Sequence, residues 1–384
     1  MSQPTPRLPL RIGLAGLGFG AEFAPIYQAL PDTDLVAVCR RDETALNQFA
    51  DTFGVERRYT DFDALIADPG IDAVHINTPI PDHAAQTVAA LNAGKHVACT
   101  VPMATSVGEC EEIVDAVARS GKTYMMMETV VYSREFLYVQ ELARTGRLGR
   151  IQFLRGAHHQ EMAGWPGYWE GLPPMHYATH AVSPLLALAE RPAEAVSCFG
   201  SGRIDGSLAA KYGSPFAIET AHLELADSDL VAEVTRSLFN TAREYVESFS
   251  VFGSERTFEW EQIQGGGAVV FTGEVPERVE IGDYAHLLPE PIRPFTRRGV
   301  YDDEHAHLSF VQGAGHGGSH PHLVHEFVSS IVDGRKPAVD EVTAANWTSV
   351  GICAHESAMA GGTRVGLPAF TLRREAPSAT AGAR

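Results

Sequence analysis

Closely spaced glycines break a short apolar run near the start of the chain. Gly16 would let a strand turn tightly, Gly18 would let backbone N–H groups approach a pyrophosphate, and Ala21 is small enough for a helix to pack against the strand. The positive dipole end of that helix would face the phosphates. A second strand-like run follows at residues 35–39, at the spacing of a βαβ unit. The pattern therefore predicts a dinucleotide-binding turn formed by Gly16, Gly18, Phe19 and Gly20.

Further strand-like runs show where the rest of a cofactor site would lie. Runs at residues 35–39, 73–76, 96–99 and 123–127 alternate with helical patterns, which is typical of a doubly wound parallel sheet. Ligands of such sheets bind beyond the carboxyl ends of the strands. The residues at these ends are therefore expected to contact the cofactor: Arg40, Asn77, Thr78, Pro79, Thr100, Pro102 and Glu128.

Beyond about residue 150 the pattern changes to alternating apolar and polar runs, which predict antiparallel strands. The predicted strands cover 151–155, 217–225, 230–237, 248–252 and 256–260, and the predicted helices cover 176–190 and 322–332. Residues 287–318 are expected to be a long loop.

The fold class that follows is α/β: an N-terminal Rossmann doubly wound parallel sheet, then a C-terminal α+β domain built on an open, mainly antiparallel sheet. The predicted divisions are a dinucleotide-binding domain at 1–130, a substrate-binding domain at 131–372 and a disordered tail at 373–384.

The composition argues against several classes of protein. The chain has 384 residues, is 45% hydrophobic and carries a formal net charge of −18. This charge argues against binding to nucleic acid or to an anionic membrane, because Lys/Arg patches attract both. No apolar run approaches the roughly 18 residues of a membrane span, and residues 1–8 lack a signal-peptide pattern, so a cytoplasmic location is expected. The five scattered cysteines indicate reduced, packed thiols.

Several of these features resemble the Gfo/Idh/MocA oxidoreductases over nearly the whole chain. They are the strand end at 77–79, His83 shortly after it, and a turn at Pro102 similar to a cis-proline turn. The resemblance adds His83 to the expected cofactor contacts. In that family the turn usually reads Glu-Lys-Pro, and its lysine helps to deprotonate a sugar hydroxyl as a hydride leaves for the nicotinamide. Residues 100–102 read Thr-Val-Pro instead, so an ordinary sugar dehydrogenase would lack its usual acid and base there.

Other motifs resemble a narrower branch, the NAD-dependent glycosidases of glycoside hydrolase family 109. Residues 126–128 and 132–135 are similar to its Met-Leu-Glu and Tyr-Gly-Arg-Glu runs. Residues 167–169 and 177–180 are similar to its Gly-Tyr-Trp and Tyr-Pro-Thr-His elements, and the Gly-His-Gly-Gly run at 315–318 adds another match. The related sulfoquinovosidases of family 188 are the second resemblance.

The resemblance implies a redox-neutral cleavage of a glycoside. Oxidation of the C3 hydroxyl makes the C2 proton removable, the C1 substituent leaves, water adds, and the hydride returns. NAD is the implied cofactor, although Arg40, in place of the usual acidic residue, leaves NADP open. The implied bases are Tyr177 and His180 at C3 and Tyr132 at C2. Because a phenol is a weak base, Tyr132 would need a pKa lowered by a cation such as Arg134.

The side chains that could bind a sugar also have simpler interpretations. The aromatic cluster around Trp165 and Tyr168 could stack on a sugar face or pack between domains. Arg236 could bind an anionic group or be a solvated sheet residue. His176 and His180 have i, i+4 spacing, but no carboxylate or thiol completes a metal site, so no metal is expected. The predicted substrate contacts are Arg134, Trp165, Tyr168, His176, Arg236 and His316.

The sequence therefore predicts an NAD-dependent glycosidase that acts on an anionic glycoside such as a sulfoquinovoside and forms a homo-oligomer. Two other functions stay open at this point. A net NAD(P)-dependent sugar or cyclitol dehydrogenase would use His180 as the base in place of the missing lysine. A sensor would keep the fold and bind the nucleotide without catalysis.

Overall fold

The structure is a computed structural model that describes residues 8–163, 167, 170–297 and 313–370. Its first sheet is parallel, with the strand order β3-β2-β1-β4-β5-β6. The strands are β1 Leu10–Ala15, β2 Thr33–Cys39, β3 Arg57–Tyr59, β4 Ala73–Ile76, β5 His96–Cys99 and β6 Tyr124–Met126. The helices between them are α1 Ala24–Ala29, α2 Glu43–Phe53, α3 Phe62–Ala67, α4 His83–Asn92 and α5 Val107–Ser120.

This sheet confirms the predicted Rossmann half. Strands β4 and β5 have the predicted bounds, and all of their residues are buried. The strand order reverses between β1 and β4, and in such sheets the crevice at the reversal holds the ligand. Local signals fix the helices. Helix α5, for example, starts in a capping box between Ser106 and Glu109 and ends at Gly121, which has a φ of 64°.

The second sheet has nine strands in the order β14-β13-β12-β11-β7-β10-β9-β8-β15. Its strands are β7 Ile151–His159, β8 Ala193–Ser201, β9 Ile218–Leu225, β10 Val231–Ser237, β11 Val246–Gly253, β12 Arg256–Glu259, β13 Val269–Thr272, β14 Val275–Arg278 and β15 Val365–Gly366. All its strand pairs are antiparallel except β7 with β10, which confirms the predicted mainly antiparallel sheet.

Among the described residues, six further helices follow the first sheet in the chain: α6 Arg134–Arg144, α7 Thr179–Ala189, α8 Gly206–Tyr212, α9 Gly313–Gly318, α10 His320–Val332 and α11 Glu341–Met359. Two predictions need correction. The helix expected at 176–190 is a 3₁₀ helix, Pro174–Tyr177, followed by α7. The loop expected at 287–318 contains a 3₁₀ helix, Glu290–Thr296, and α9. The predicted tail at 373–384 lies outside the described residues.

Helix α10 packs on the first sheet although it follows the second in the chain. Its residues Leu323 and Phe327 are fully buried in the same apolar core as Leu10, Tyr27 and Met125. The division of the chain at residue 130 stays a prediction.

All five cysteines are buried free thiols. Within the described part of the chain, no helix combines the length and the apolar character needed to cross a bilayer.

Candidate active site

A cavity of about 900 Å³ lies at the carboxyl ends of β1, β2, β4 and β5 and extends to residues that follow the first sheet in the chain. The cavity is lined by residues that the sequence predicted to bind the cofactor and by residues that it predicted to act on the sugar. Those residues are Gly16, Gly18, Phe19, Arg40, Asn77, Thr78, Pro79, His83, Thr100, Tyr177, His180 and His316.

The glycine turn has the tight approach that a dinucleotide site requires. Gly16 has a φ of 83°, and a Cβ at this position would lie 2.3 Å from the carbonyl oxygen of Asn77. Only glycine satisfies both constraints. Gly20 does not line the cavity; it packs on Leu14, whose side chain would lie 3.3 Å from an added Cβ. A 3₁₀ helix, Phe19–Glu22, precedes α1, where the sequence predicted a single helix.

The turn that carries the Thr-Val-Pro sequence is held by His83. Its Nδ1 lies 2.8 Å from the carbonyl oxygen of Pro102, and its Nε2 lies 2.8 Å from that of Thr78. Burial lowers the pKa of His83 even though both carbonyls oppose the shift. The ring thus ties together the ends of β4 and β5, and the Val101–Pro102 bond is cis, as the resemblance implied. Pro102 acts here through its carbonyl and does not line the cavity.

Two arginines, Arg40 and Arg41, line the cavity at the end of β2. The neighbouring carboxylate of Asp42 caps α2 by accepting a hydrogen bond from the backbone N–H of Ala45 at 2.8 Å. The Asp42 carboxylate is therefore already engaged, and the two arginines bring positive charge to this end of the cavity.

His180 lines the cavity, is 2% exposed and lies between two carboxylates. Its Nδ1 lies 2.6 Å from Oε1 of Glu128, while its Nε2 lies 3.2 Å from the Tyr177 hydroxyl and 3.5 Å from Oε1 of Glu247. Burial alone would lower the pKa of His180, but Glu128 and Glu247 outweigh it and raise the pKa. Glu128 was expected to contact the cofactor; it binds His180 instead, because it is fully buried behind the ring.

Glu247 is a site residue that sequence reasoning missed. Its Oε1 accepts a hydrogen bond from the Tyr245 hydroxyl and lies 4.0 Å from Nε2 of His158 and 3.7 Å from Nε2 of His316. Burial raises the pKa of Glu247, yet the neighbouring His180 and His316 bring it below its usual value. One carboxylate oxygen therefore connects Tyr245 to three imidazoles. Its only sequence signal was an acidic residue directly before the predicted strand at 248–252.

His316 reaches the cavity from the glycine-rich turn, as predicted. Its φ of 46° is unusual for a residue with a Cβ. Burial lowers the pKa of His316 to about 4. Arg134, expected to bind substrate, supports this turn instead: its guanidinium donates to the backbone oxygens of Gly317 and Thr296 at 3.2 and 2.9 Å.

Tyr132 does not join the other predicted catalytic residues. It lines a separate cavity of about 600 Å³, beside Phe136 and Trp347. Burial raises the pKa of Tyr132, so the expected lowering by Arg134 is wrong. The buried hydroxyl has no hydrogen-bond partner among the described residues.

Besides Arg134, two predicted substrate contacts lie outside the cavity, and two fall outside the described residues. The ring of His176 packs edge-on against that of His355, and the fully buried Arg236 lies behind Tyr177. Trp165 and Tyr168 are in the part of the chain that the structure does not describe. Among the described residues, no group of three His, Cys, Asp or Glu side chains has the arrangement of a metal site.

The comparison with known families agrees with this site. Residues 10–128 match the oxidoreductase family with an NAD-binding Rossmann fold, GFO_IDH_MocA. This part of the chain is therefore similar to the Gfo/Idh/MocA oxidoreductases and forms an NAD-binding Rossmann fold. The match confirms the resemblance and the predicted NAD cofactor.

Relatives extend the similarity beyond this region. A glycosyl hydrolase family 109 protein from Shewanella baltica is 30% identical over 198 residues, which cover 46% of this chain and 43% of that protein. The match thus spans less than half of that relative. Another of the same name, from Shewanella putrefaciens, is 25% identical over 398 aligned residues, covering 94% of this chain and 85% of that protein.

A solved structure shares the complete fold. It is an oxidoreductase from Agrobacterium radiobacter in complex with NAD⁺, L-tartaric acid and magnesium, with a TM-score of 0.76 at 19% identity. The alignment covers 93% of this chain and 98% of that one, which confirms the two-sheet architecture.

Proposed function

We propose that this protein binds NAD and hydrolyses a glycoside by transient oxidation of the sugar at C3. The observation that carries the proposal is that Tyr177 and His180 line the same cavity as the glycine turn at Gly16. Sugar oxidation needs a hydride acceptor and a base at one site. The similarity to glycosyl hydrolase family 109 proteins supports the glycosidase. The proposed substrate is an anionic glycoside such as a sulfoquinovoside, and the proposed form is a cytoplasmic oligomer.

The residues around the glycine turn suit NAD. Gly16 lets the chain turn tightly against the backbone of Asn77 and line the cavity, and Oδ1 of Asn77 is a buried acceptor with no hydrogen-bond partner among the described residues. Bound NAD supplies a carbon centre that accepts a hydride from the sugar and can return it. Arg40 and Arg41, at the end of β2, would contact the adenosine half of the cofactor.

His180 takes the proton of the C3 hydroxyl in this proposal. A carboxylate only accepts hydrogen bonds, so the short contact with Glu128 keeps the hydrogen on Nδ1 and leaves Nε2 as the exchanging nitrogen. That nitrogen faces the Tyr177 hydroxyl. The substrate proton passes to the tyrosine oxygen as the tyrosine proton moves to Nε2, and C3 becomes a ketone as its hydride leaves.

The elimination step needs a second proton acceptor. Tyr245 lines the cavity, and its hydroxyl donates to Glu247. In our proposal the C2 proton moves to the phenol oxygen while the phenol proton moves to the carboxylate. The C1–O bond breaks, and the aglycone leaves with the proton that Glu247 received. Water then adds its hydroxyl group to C1 and its other proton to C2. The hydride returns to C3 while the proton held by His180 returns to the C3 oxygen, which restores the hydroxyl.

A net sugar dehydrogenase is the second candidate, and one observation favours it. The residue expected to act at C2, Tyr132, lies outside the cavity, whereas oxidation at C3 needs only His180 and Tyr177. A dehydrogenase would release the ketone and the reduced cofactor instead of returning the hydride.

Incubation of the NAD-loaded protein with aryl glycosides separates the two functions. We expect release of the aryl alcohol with no rise in absorbance at the wavelength of reduced nicotinamide, and exchange of the C2 hydrogen with deuterated solvent. Accumulation of NADH without aglycone would establish the dehydrogenase. The absence of both products with every sugar would overturn catalysis and favour the sensor.

A further inference from the structure

Arg236 is a fully buried cation whose hydrogen-bond partners are all neutral. Its Nε donates to the backbone oxygen of Tyr177 at 3.1 Å, and its Nη1 donates to those of His158 and Ser237 at 3.1 and 2.8 Å. Its Nη2 donates to Oε1 of Gln160 at 2.9 Å. Four hydrogen bonds hold the guanidinium rigidly, so it cannot turn to meet a substrate.

The last of these contacts fixes the orientation of the Gln160 amide. An arginine has donors only, so the oxygen of the amide has to face Arg236 and the NH₂ group has to face away. Gln160 is 6% exposed and lines the cavity together with Tyr177, His180 and Tyr245. Among the described residues, its amide nitrogen donates to no protein group. The cavity wall therefore presents two N–H donors in a fixed position beside the catalytic pair.

The positive charge of Arg236, next to the Gln160 amide, favours an anionic hydrogen-bond acceptor over a neutral one. The guanidinium makes no ion pair within 4.0 Å among the described residues, and burial lowers the pKa of Arg236 to about 10. Glu247, the carboxylate whose charge acts on Arg236, is already shared by Tyr245 and three imidazoles. A buried positive charge with little direct compensation is stabilised when an anion comes close.

We propose that Gln160 selects the substrate by donating hydrogen bonds to an anionic oxygen of the sugar, a carboxylate or a sulfonate, and that Arg236 is the positioning residue that aims its amide. This inference rests on the proposed function. It replaces the direct contact between substrate and Arg236 that the sequence predicted.

Binding of methyl glucuronide and methyl glucoside to the NAD-loaded protein tests the proposal by isothermal titration calorimetry. We expect the anionic sugar to bind about tenfold more tightly than the neutral one, the effect of one hydrogen bond to a charged group. In Gln160→Glu the new carboxylate would pair with Arg236 and repel an anion, so the preference should disappear. Gln160→Met keeps the length of the side chain without its donors and should lower the preference as well.

Gln140→Glu is the matched control, because it makes the same charge change at an exposed residue of α6 outside this cavity. It should keep the wild-type preference, and unchanged NAD affinity would show that each variant is folded. Equal binding of the two sugars by the wild type, or an unchanged preference in folded Gln160→Glu, would overturn the inference. Binding needs no turnover, so selective binding without cleavage would refute only the proposed function, and cleavage with an unchanged preference would refute only the role of Gln160.

Discussion

Nδ1 of His180 lies 2.6 Å from Oε1 of Glu128, and both side chains are almost completely buried. The carboxylate fixes the tautomer of the ring and, with Glu247, raises its pKa above the ordinary 6.5. A base works in its unprotonated form, so kcat/KM should rise with pH through a pKa above 6.5.

Glu128→Gln should move this acidic limb to lower pH. The amide removes the negative charge but keeps an oxygen that can accept from Nδ1, so the pKa of His180 should fall. The measurement is the pH profile of kcat/KM. Glu233→Gln, on β10 beside the exposed Arg155, is the control. An unmoved limb in Glu128→Gln would show that another group titrates.

Tyr177→Phe and His180→Ala should each reduce turnover by about 10² to 10⁴-fold while NAD remains bound, because each removes part of the proton path. Steady-state rates and NAD titration would be measured together. His222→Ala replaces an exposed histidine of β9 and should behave as the wild type. Normal rates in either cavity variant would remove that residue from the mechanism.

Gly16→Ala should weaken NAD binding and lower the free energy of unfolding by about 3 kcal/mol, since the methyl group would collide with the backbone of Asn77. Gly54→Ala separates this collision from the cost of a positive φ. Gly54 has a φ of 65° with nothing within 4 Å of an added Cβ, so about 1 kcal/mol is expected. Urea denaturation gives both values, and equal losses would contradict the steric account.

Arg40→Asp tests the choice of cofactor. An arginine at this strand end can bind a 2′-phosphate, whereas an aspartate binds the 2′-hydroxyl and repels the phosphate. We expect the affinity for NADP to fall at least about tenfold and that for NAD to be kept or increased. Fluorescence titration with both nucleotides measures this. Equal losses of affinity for NAD and NADP would mean that Arg40 contacts a part that both nucleotides share, such as adenine.

The strands of the first sheet were predicted from the sequence more accurately than the rest of the fold. Central parallel strands are covered on both faces and appear as short apolar runs, so residues 73–76 and 96–99 were predicted with their observed bounds. Helix α11 was not predicted. Residues 344–354 within it are all buried, so it lacks the alternation of polar and apolar faces that identifies a surface helix.

The cluster of Arg236, Glu247 and His158 could not be predicted from the sequence, because the register of the strands brings these residues together. Strand β7 pairs with both β10 and β11, and these two pairings place Arg236 and Glu247 opposite His158. A change of register by one residue would turn each side chain to the other face of the sheet. Tyr132 was instead predicted as a catalytic residue from its motif, but it lines a separate cavity from Tyr177 and His180.

The placement of Phe327 in the same apolar core as Leu10 restricts how this architecture can be recombined. A chimera that joins the first 130 residues to the remainder of a relative would pair a sheet with a foreign helix α10, leaving mismatched apolar surfaces. A chimera that also keeps residues 320–332 of this chain would preserve the native packing between α10 and the first sheet. The cofactor-binding fold is therefore built from two segments that are separated in the sequence, the first 130 residues and residues 320–332.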